Sequence, residues 1–320
     1  INDRLCFYLF LFFCVIVFYV MHPIRYFTGL NKLILFIYLI VCKILITSFF
    51  DFKYLFNYKN TLYRFLSRYS IIMLGLFFVF FNMGFTVSSN GDQSRLSLPG
   101  FANPIWFSRY VCEFMLCIIF HQIIRKKIDI NFMLSFFSIA IGAWLLYKSG
   151  SRGPVLSLGI VFSILMYSHF PKSRNIFILA GLLLSPIFLI YMDKFVNFNI
   201  FSLIERLEHI NFSIMLLSES IWGYGFSSYG FLLYDEDVVS YPHNIFLEVF
   251  VELGLLGLLI LIVIFLRVFR IVNIDNLFIY LFIMAFFNAQ VSGDLISNSQ
   301  VFIYAYLSVR FNKHRILILK

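Results

Sequence analysis

The chain has 320 residues, of which 61% are apolar, 21% aromatic and only 13% charged, with a mean hydropathy of +0.90. A soluble domain carries about 25% charged residues, so this chain cannot coat a water-exposed globule, and 16 Gly with 7 Pro exclude a low-complexity or collagen-like polymer. What remains is one integral membrane domain over residues 1–320, all-α, whose net charge of +9 calls for a topological explanation before any nucleic acid is invoked.

A helix needs about 20 apolar residues to cross a roughly 30 Å hydrocarbon core. Runs of that kind fall near 5–21, 33–50, 69–87, 104–124, 129–147, 154–170, 175–192, 243–266, 276–291 and 299–310, a polytopic bundle of about ten spans, the last two short. The chain starts at Ile1, a first span can itself direct insertion, and the count is taken as a minimum. Cys6, Cys14, Cys42, Cys112 and Cys117 all sit inside apolar runs without metal or redox spacing and read as small hydrophobes. Of the prolines only Pro186 interrupts a span, and Lys43 stands mid-span without a partner in its own helix.

Lys and Arg decide orientation. Sixteen of the 25, among them Arg64, Arg68, Arg125, Lys126 and Lys127, fall on one side, leaving that side at +12 and the rest at −3. The basic side is expected to be the cytoplasm, with both termini on it. Three stretches then face outward: 88–103, the turn 148–153, and a large loop at 193–242. In the large loop Leu203, Leu207, Ile210, Ile214, Leu217 and Ile221 recur at helical spacing, with Arg206, His209, Ser213 and Ser220 on another face. Such a helix would lie along the membrane surface.

Four outward elements carry chemistry. In Tyr241-Pro242-His243-Asn244, the loop turns into an apolar helix read as uninterrupted, along which Asn244, Glu248 and Glu252 line one face and Gly254 and Gly257 admit a neighbouring helix. A helix N-terminus disfavours a proton on His243, leaving a neutral imidazole able to accept one; a histidine that merely caps the helix is the bland alternative. In Ser149-Gly150-Ser151-Arg152-Gly153-Pro154, an outward arginine on a tight turn suits an anion, because guanidinium grips phosphate bidentately; snorkelling to headgroups is its alternative. Arg206 is followed by Trp222-Gly223-Tyr224-Gly225-Phe226, whose aromatics suit a sugar face or an interfacial belt. Pro99-Gly100-Phe101-Ala102-Asn103-Pro104 is flanked by Arg95 and by Arg109, which is expected to pair with Glu113 one turn on. No metal-ligand cluster, nucleotide loop or haem histidine pair occurs, so no cofactor is expected.

In this order the motifs resemble the bacterial O-antigen ligase and O-antigen polymerase family: Gly100 to Pro104, Ser151 to Gly153, Arg206 with Trp222 to Phe226, and His243-Asn244 through Gly257. The resemblance covers roughly residues 95–257. It implies a GT-C-like, metal-independent inverting glycosyltransferase of the inner membrane, working at its periplasmic face on an undecaprenyl-diphosphate-linked glycan. The acceptor would be another glycan or lipid A core, with membrane lipid around the site and a chain-length regulator as a protein partner. It also implies His243 as the base and Arg152 and Arg206 as diphosphate ligands; from the residues themselves, Arg95, Arg109, Trp222, Tyr241, Asn244 and Glu248 are candidates for supporting or substrate-binding places. Glu248 either orients the ring or holds a neighbouring helix. Polymerase is the preferred reading, ligase the alternative within the family, and a repeat-unit flippase, to which Lys43, Glu113, Glu248 and Glu252 would lend buried charge, the alternative outside it.

Overall fold

The structure is a computed structural model that describes residues 33–38, 41, 58–89, 92–99, 103–125, 130–170, 172, 200–238, 240–270 and 273–318. The expected spans at 5–21 and 175–192 and most of that at 33–50 lie outside the described residues, as do Lys43, Pro186, Cys6, Cys14 and Cys42. In chain order the elements are α1 (Lys59–Asn82), β1 (Val87–Ser89), β2 (Asp92–Ser97), α2 (Pro104–Arg125), α3 (Ile130–Ser149), α4 (Arg152–His169), α5 (Ile200–Glu219), α6 (Tyr229–Tyr234), α7 (Ile245–Arg270), α8 (Leu277–Ala289) and α9 (Ser299–Ile318). Among the described residues, four helices are long and apolar enough to cross a membrane: Lys59–Asn82, Pro104–Arg125, Phe132–Ser149 and Ile245–Arg270. Helix α1 begins at Lys59 rather than at 69, because Leu62, Arg64 and Arg68 are good enough helix formers to extend an apolar span into polar sequence. The all-α expectation is amended at one place. Strands β1 and β2 pair antiparallel, Val87 opposite Ser97 and Ser88 opposite Leu96, inside the stretch expected only to face outward.

Asparagines start three of these helices. Asn103 Oδ1 accepts the Ile105 N–H at 2.8 Å, with Pro104 supplying the preset φ of a first helical residue. Asn276 Oδ1 accepts from Phe278 N, and Asn244 Oδ1 from both Phe246 N and Leu247 N.

The chain divides into two compact units. One unit comprises Tyr54–Phe198 with Ile274–Met284. In it the inward face of α1 meets α2 ring against ring: Phe77 with Phe107 at 5.4 Å, and Tyr63 edge-on to Phe120 at 5.2 Å. The Tyr63 hydroxyl also donates to the Asp275 carbonyl, tying the returning segment to this core. Burial on α1 differs from that of a soluble amphipathic helix, because both of its sides are apolar. Ser67 and Ser70 are buried, while Phe65, Tyr69, Ile72, Leu76 and Phe80 are exposed along the other side. Such a helix is stable only where its outward side meets hydrocarbon, and its contacts with neighbours are then made by packing rather than by exclusion of water.

The other unit comprises Ile1–Lys53, Asn199–Asn273 and Ala285–Lys320. Leu216 of α5, Tyr229 of α6 and Val251 of α7 form its central cluster, walled by Phe212, Leu217, Tyr224, Leu232 and Leu233. Phe36 packs against Phe226 and Phe302, joining residues 33–38 to the same core. This cluster fixes α5 and α6 against the start of α7.

Candidate active site

Helix α7 opens on a strained residue. Pro242 is buried and Asn244 caps the helix, so His243 between them must turn the chain, and it does so at φ +58°, a region costly for most side chains but more open to His and Asn. The turn directs the imidazole at α5. Its ring centroid lies 5.5 Å from that of His209, edge to face, and 4.7 Å from that of Tyr241. Nδ1 of His243 is buried without a hydrogen-bond partner among the described residues. Burial pushes the His243 pKa down to about 4, and the charge of Arg206 pushes in the same direction. A neutral ring was expected from the helix N-terminus; the structure reaches the same state through desolvation and the neighbouring cation.

The partner of His243 is the polar face of α5, and this face points into the protein. Arg206 is half-buried, His209 and Ser213 are buried, and the apolar residues Leu207 and Ile214 are 51% and 55% exposed. An amphipathic helix in water does the reverse. Here the apolar stripe is left for lipid, as a surface-lying helix requires, and the polar stripe is free to build a site.

His209 is the member of this site that sequence reasoning left among polar-face residues. Its Nδ1 lies 3.0 Å from the Tyr229 hydroxyl, which in turn donates to the His209 backbone carbonyl at 2.9 Å. With its one proton used on the carbonyl, that hydroxyl must accept from Nδ1–H, which fixes the tautomer and leaves the Nε2 lone pair. Burial lowers the pKa of His209 and raises that of Tyr229 to about 12, so both groups stay neutral in the working range. The spacing Arg206, His209, Ser213 was the available signal, since three polar residues at i, i+3 and i+7 make a stripe as regular as the apolar one.

A second correction concerns α7, which is not uninterrupted. Gly254 adopts φ +68° and ψ −170°, breaking the helix. The hydrogen bond that Leu255 N–H would give to Val251 is replaced by two to another segment: Leu255 N donates to Ile221 O at 2.9 Å, and Tyr224 N donates to Val251 O at 2.9 Å. Gly225 N adds a third, to Glu252 O at 3.0 Å. Three of the backbone groups at the break are thus taken up by residues 221–225, in keeping with the rule against bare backbone at membrane depth. The approach is closer than a side chain allows. A Cβ on Gly254 would run into the Trp222 carbonyl, and one on Gly223, itself at φ +83°, into the Gly254 amide. Gly254 was expected to admit a neighbouring helix and instead admits this turn. Of the turn's aromatics, Phe226 is buried in the core and Tyr224 bonds the Leu216 carbonyl and Glu219, whereas Trp222 is 65% exposed.

Below the histidine, Asn244 Nδ2 donates to Gln290 Oε1, and Glu248, fully buried, accepts the Leu295 N–H at 3.0 Å. Glu252 is equally buried. These residues bind α7 to the loop between α8 and α9, where Asn298 Nδ2 donates to the carbonyls of Ser292 and Gly293.

His243, Arg206, Tyr241, Asn244, Trp222 and Glu248 therefore share one unit; Arg95, Arg109 and Arg152 belong to the other. Arg152 is the first residue of α4 and is half-buried. The turn before it is held from behind: Ser108 Oγ donates to Ser149 Oγ at 2.6 Å, and Ser149 donates to the Leu146 carbonyl. Arg109 and Glu113 are both buried on α2, one turn apart. Arg95 lies on β2.

Residues 137–262 match the family model described as O-antigen ligase. The matched stretch contains Ser151 to Gly153, Arg206, Trp222 to Phe226 and His243 to Gly257, and supports the O-antigen ligase and polymerase family read from the motifs. No curated protein and no solved structure matches the chain.

Proposed function

Taking the O-antigen ligase and polymerase family as premise, we propose that this protein is an inner-membrane glycosyltransferase that polymerises undecaprenyl-diphosphate-linked repeat units at the periplasmic face. The observation that carries this reading is the half-buried, neutral imidazole of His243, whose Nδ1 is buried without a hydrogen-bond partner among the described residues, under the influence of the Arg206 charge. Glycan transfer with inversion forms a bond from an acceptor hydroxyl oxygen to the anomeric carbon and breaks the bond from that carbon to the diphosphate. The hydroxyl proton passes to His243, and the departing diphosphate takes the electron pair. A base that is neutral before the reaction and a cation at the leaving group are the two requirements of that step.

Arg206 acts on both. Burial makes His243 a weak base in the free protein and the Arg206 charge adds to this; a bound diphosphate would neutralise that charge, raising the basicity of the ring as the donor arrives. Arg152 serves as the second diphosphate ligand and Trp222, with its ring held outward, as a sugar platform. His209 positions His243 from the side. Nothing in this chemistry calls for a metal ion.

The description of the matched family favours a second reading, ligation of a finished glycan to lipid A core. One experiment separates the two. A strain deleted for this gene is complemented with wild type or His243→Asn, and the surface polysaccharide is resolved on a gel. Core bearing a single repeat unit in the deletion and the variant supports polymerase. Bare core with polymer accumulating on undecaprenyl diphosphate supports ligase. Full complementation by the variant rejects the base assignment and brings the flippase forward.

A further inference from the structure

A second basic region lies in the unit formed by Tyr54–Phe198 and Ile274–Met284, away from every residue used above. Helices α1, α2 and α3 enclose a cavity of about 410 Å³ there. Arg64 and Arg68 line it one turn apart on α1, and Arg125 lines it from α2, one turn beyond His121. All three guanidinium groups bear electrostatically on the His121 ring, so their charges converge on one space. No carboxylate stands among the described lining residues. Like charges one helical turn apart repel each other, and a bound anion would relieve that repulsion.

The walls are of two kinds. Ile72 and Leu134 line the cavity and are also 60% and 52% exposed, on the outward apolar sides of α1 and α3. The basic end therefore opens directly onto the surface that faces hydrocarbon. Free phosphate has no use for such a wall, whereas an acyl chain does. At the polar end Gln122 Nε2 donates to Ser135 Oγ at 2.6 Å, which fixes the amide, and its Oε1 is buried without a partner among the described residues. An unpartnered acceptor beside three cations suits a headgroup that brings a donor hydroxyl along with its phosphate.

From this geometry we infer that the α1–α2–α3 cavity is a binding site for an anionic phospholipid, with a phosphodiester on Arg64, Arg68 and Arg125 and a headgroup hydroxyl on Gln122. A glycerol-type headgroup meets both requirements. The position suits one leaflet, since the same helix ends carry Lys59 and Arg125, and clusters of this kind hold anionic lipid on the cytoplasmic side. The site does not depend on the glycosyl-transfer reading.

The test uses full-length protein in detergent, titrated with dioleoylphosphatidylglycerol, dioleoylphosphatidic acid or dioleoylphosphatidylcholine and read by native mass spectrometry. Wild type should retain phosphatidylglycerol over phosphatidylcholine. The preference should fall about fivefold for each arginine changed to Gln, to about a hundredfold in Arg64→Gln/Arg68→Gln/Arg125→Gln. If the triple variant does not fold, Arg64→Gln and Arg68→Gln, at exposed positions, give the single-step reading. Gln122→Leu should keep the preference over phosphatidylcholine and lose that for phosphatidylglycerol over phosphatidic acid. An unchanged preference in the arginine variants overturns the site. Displacement of phosphatidylglycerol from wild type by millimolar inorganic phosphate would keep the anion chemistry but assign it to a soluble source, overturning the lipid.

Discussion

Two basic regions of this molecule are built in opposite ways. Around His243 the backbone is forced into a left-handed turn, a ring nitrogen is buried without a partner, and a single arginine stands against two histidines. Around Arg64, Arg68 and Arg125 the elements that supply the charges are regular helices, and the charges are gathered without any such distortion. On the two proposals above, the difference separates two tasks: holding an anion needs only convergent charge, whereas moving a proton needs a group kept in a state it would not choose, and the strain and desolvation at His243 would be that cost.

The most direct way to break this distinction is His243→Asn. Asparagine tolerates the left-handed turn, so the fold is kept while the base is lost, and glycan extension in membranes should fall by about 10²–10⁴. A variant that retains wild-type rate would make the strained turn merely structural. Arg206→Gln should cost about 10²–10³ in rate through the lost leaving-group charge. It should also move the acid limb of kcat/KM upward from near pH 4, because removing a nearby cation favours the protonated ring. The sign for stability is the same. An unfolded histidine protonates near pH 6.5 and the folded one near 4, so the wild-type fold loses stability as pH falls between those values and is unaffected by this group above them. A limb that does not move in Arg206→Gln would detach the arginine from the ring.

Smaller effects sharpen the distinction further. Gly254→Ala should destabilise the protein by about 1–3 kcal/mol or more through positive φ and the overlap with the Trp222 carbonyl, read as a lower midpoint of thermal unfolding in detergent. Tyr229→Phe removes the hydroxyl that sets the His209 tautomer, at a cost of about 1 kcal/mol. A rate loss of tenfold or less, with KM unchanged, would mark His209 as a positioning residue. Last, Arg64→Gln with Arg68→Gln should leave glycan extension at its wild-type rate when lipid is supplied in excess. Loss of rate there would merge the two regions into one function.

Much of the frame was legible before any coordinates. Runs ending at Asn103-Pro104 and at Arg125 gave the bounds of α2 closely, because a cap with proline and a basic terminus punctuate a helix in any solvent. Residues Ser89-Asn90-Gly91-Asp92 hold a hairpin signal that the β1–β2 ribbon makes good, and it was passed over because the stretch was weighed only for polarity. Two features were harder. His209 was legible only as one of the polar-face residues of a surface helix, and nothing in the pattern of α5 says that this face turns toward His243. Gly254 lies in a run whose periodicity continues on both sides, so no local pattern distinguishes a glycine that packs from one that breaks. Its role depends on the backbone of residues 221–225, which only the fold brings to it.

The break at Gly254 also bears on inheritance. Because the turn at 221–225 and the helix at 251–255 exchange hydrogen bonds that a continuous helix would keep to itself, neither segment is complete alone. A chimera that takes the large loop from one member of the family and α7 from another would have to carry both glycines, Gly223 and Gly254, in register, and a junction anywhere between them joins halves of one object. On the proposed function, any sugar specificity carried on the loop would travel with the first half of α7, and swaps that honour this boundary are the ones that should yield folded hybrids.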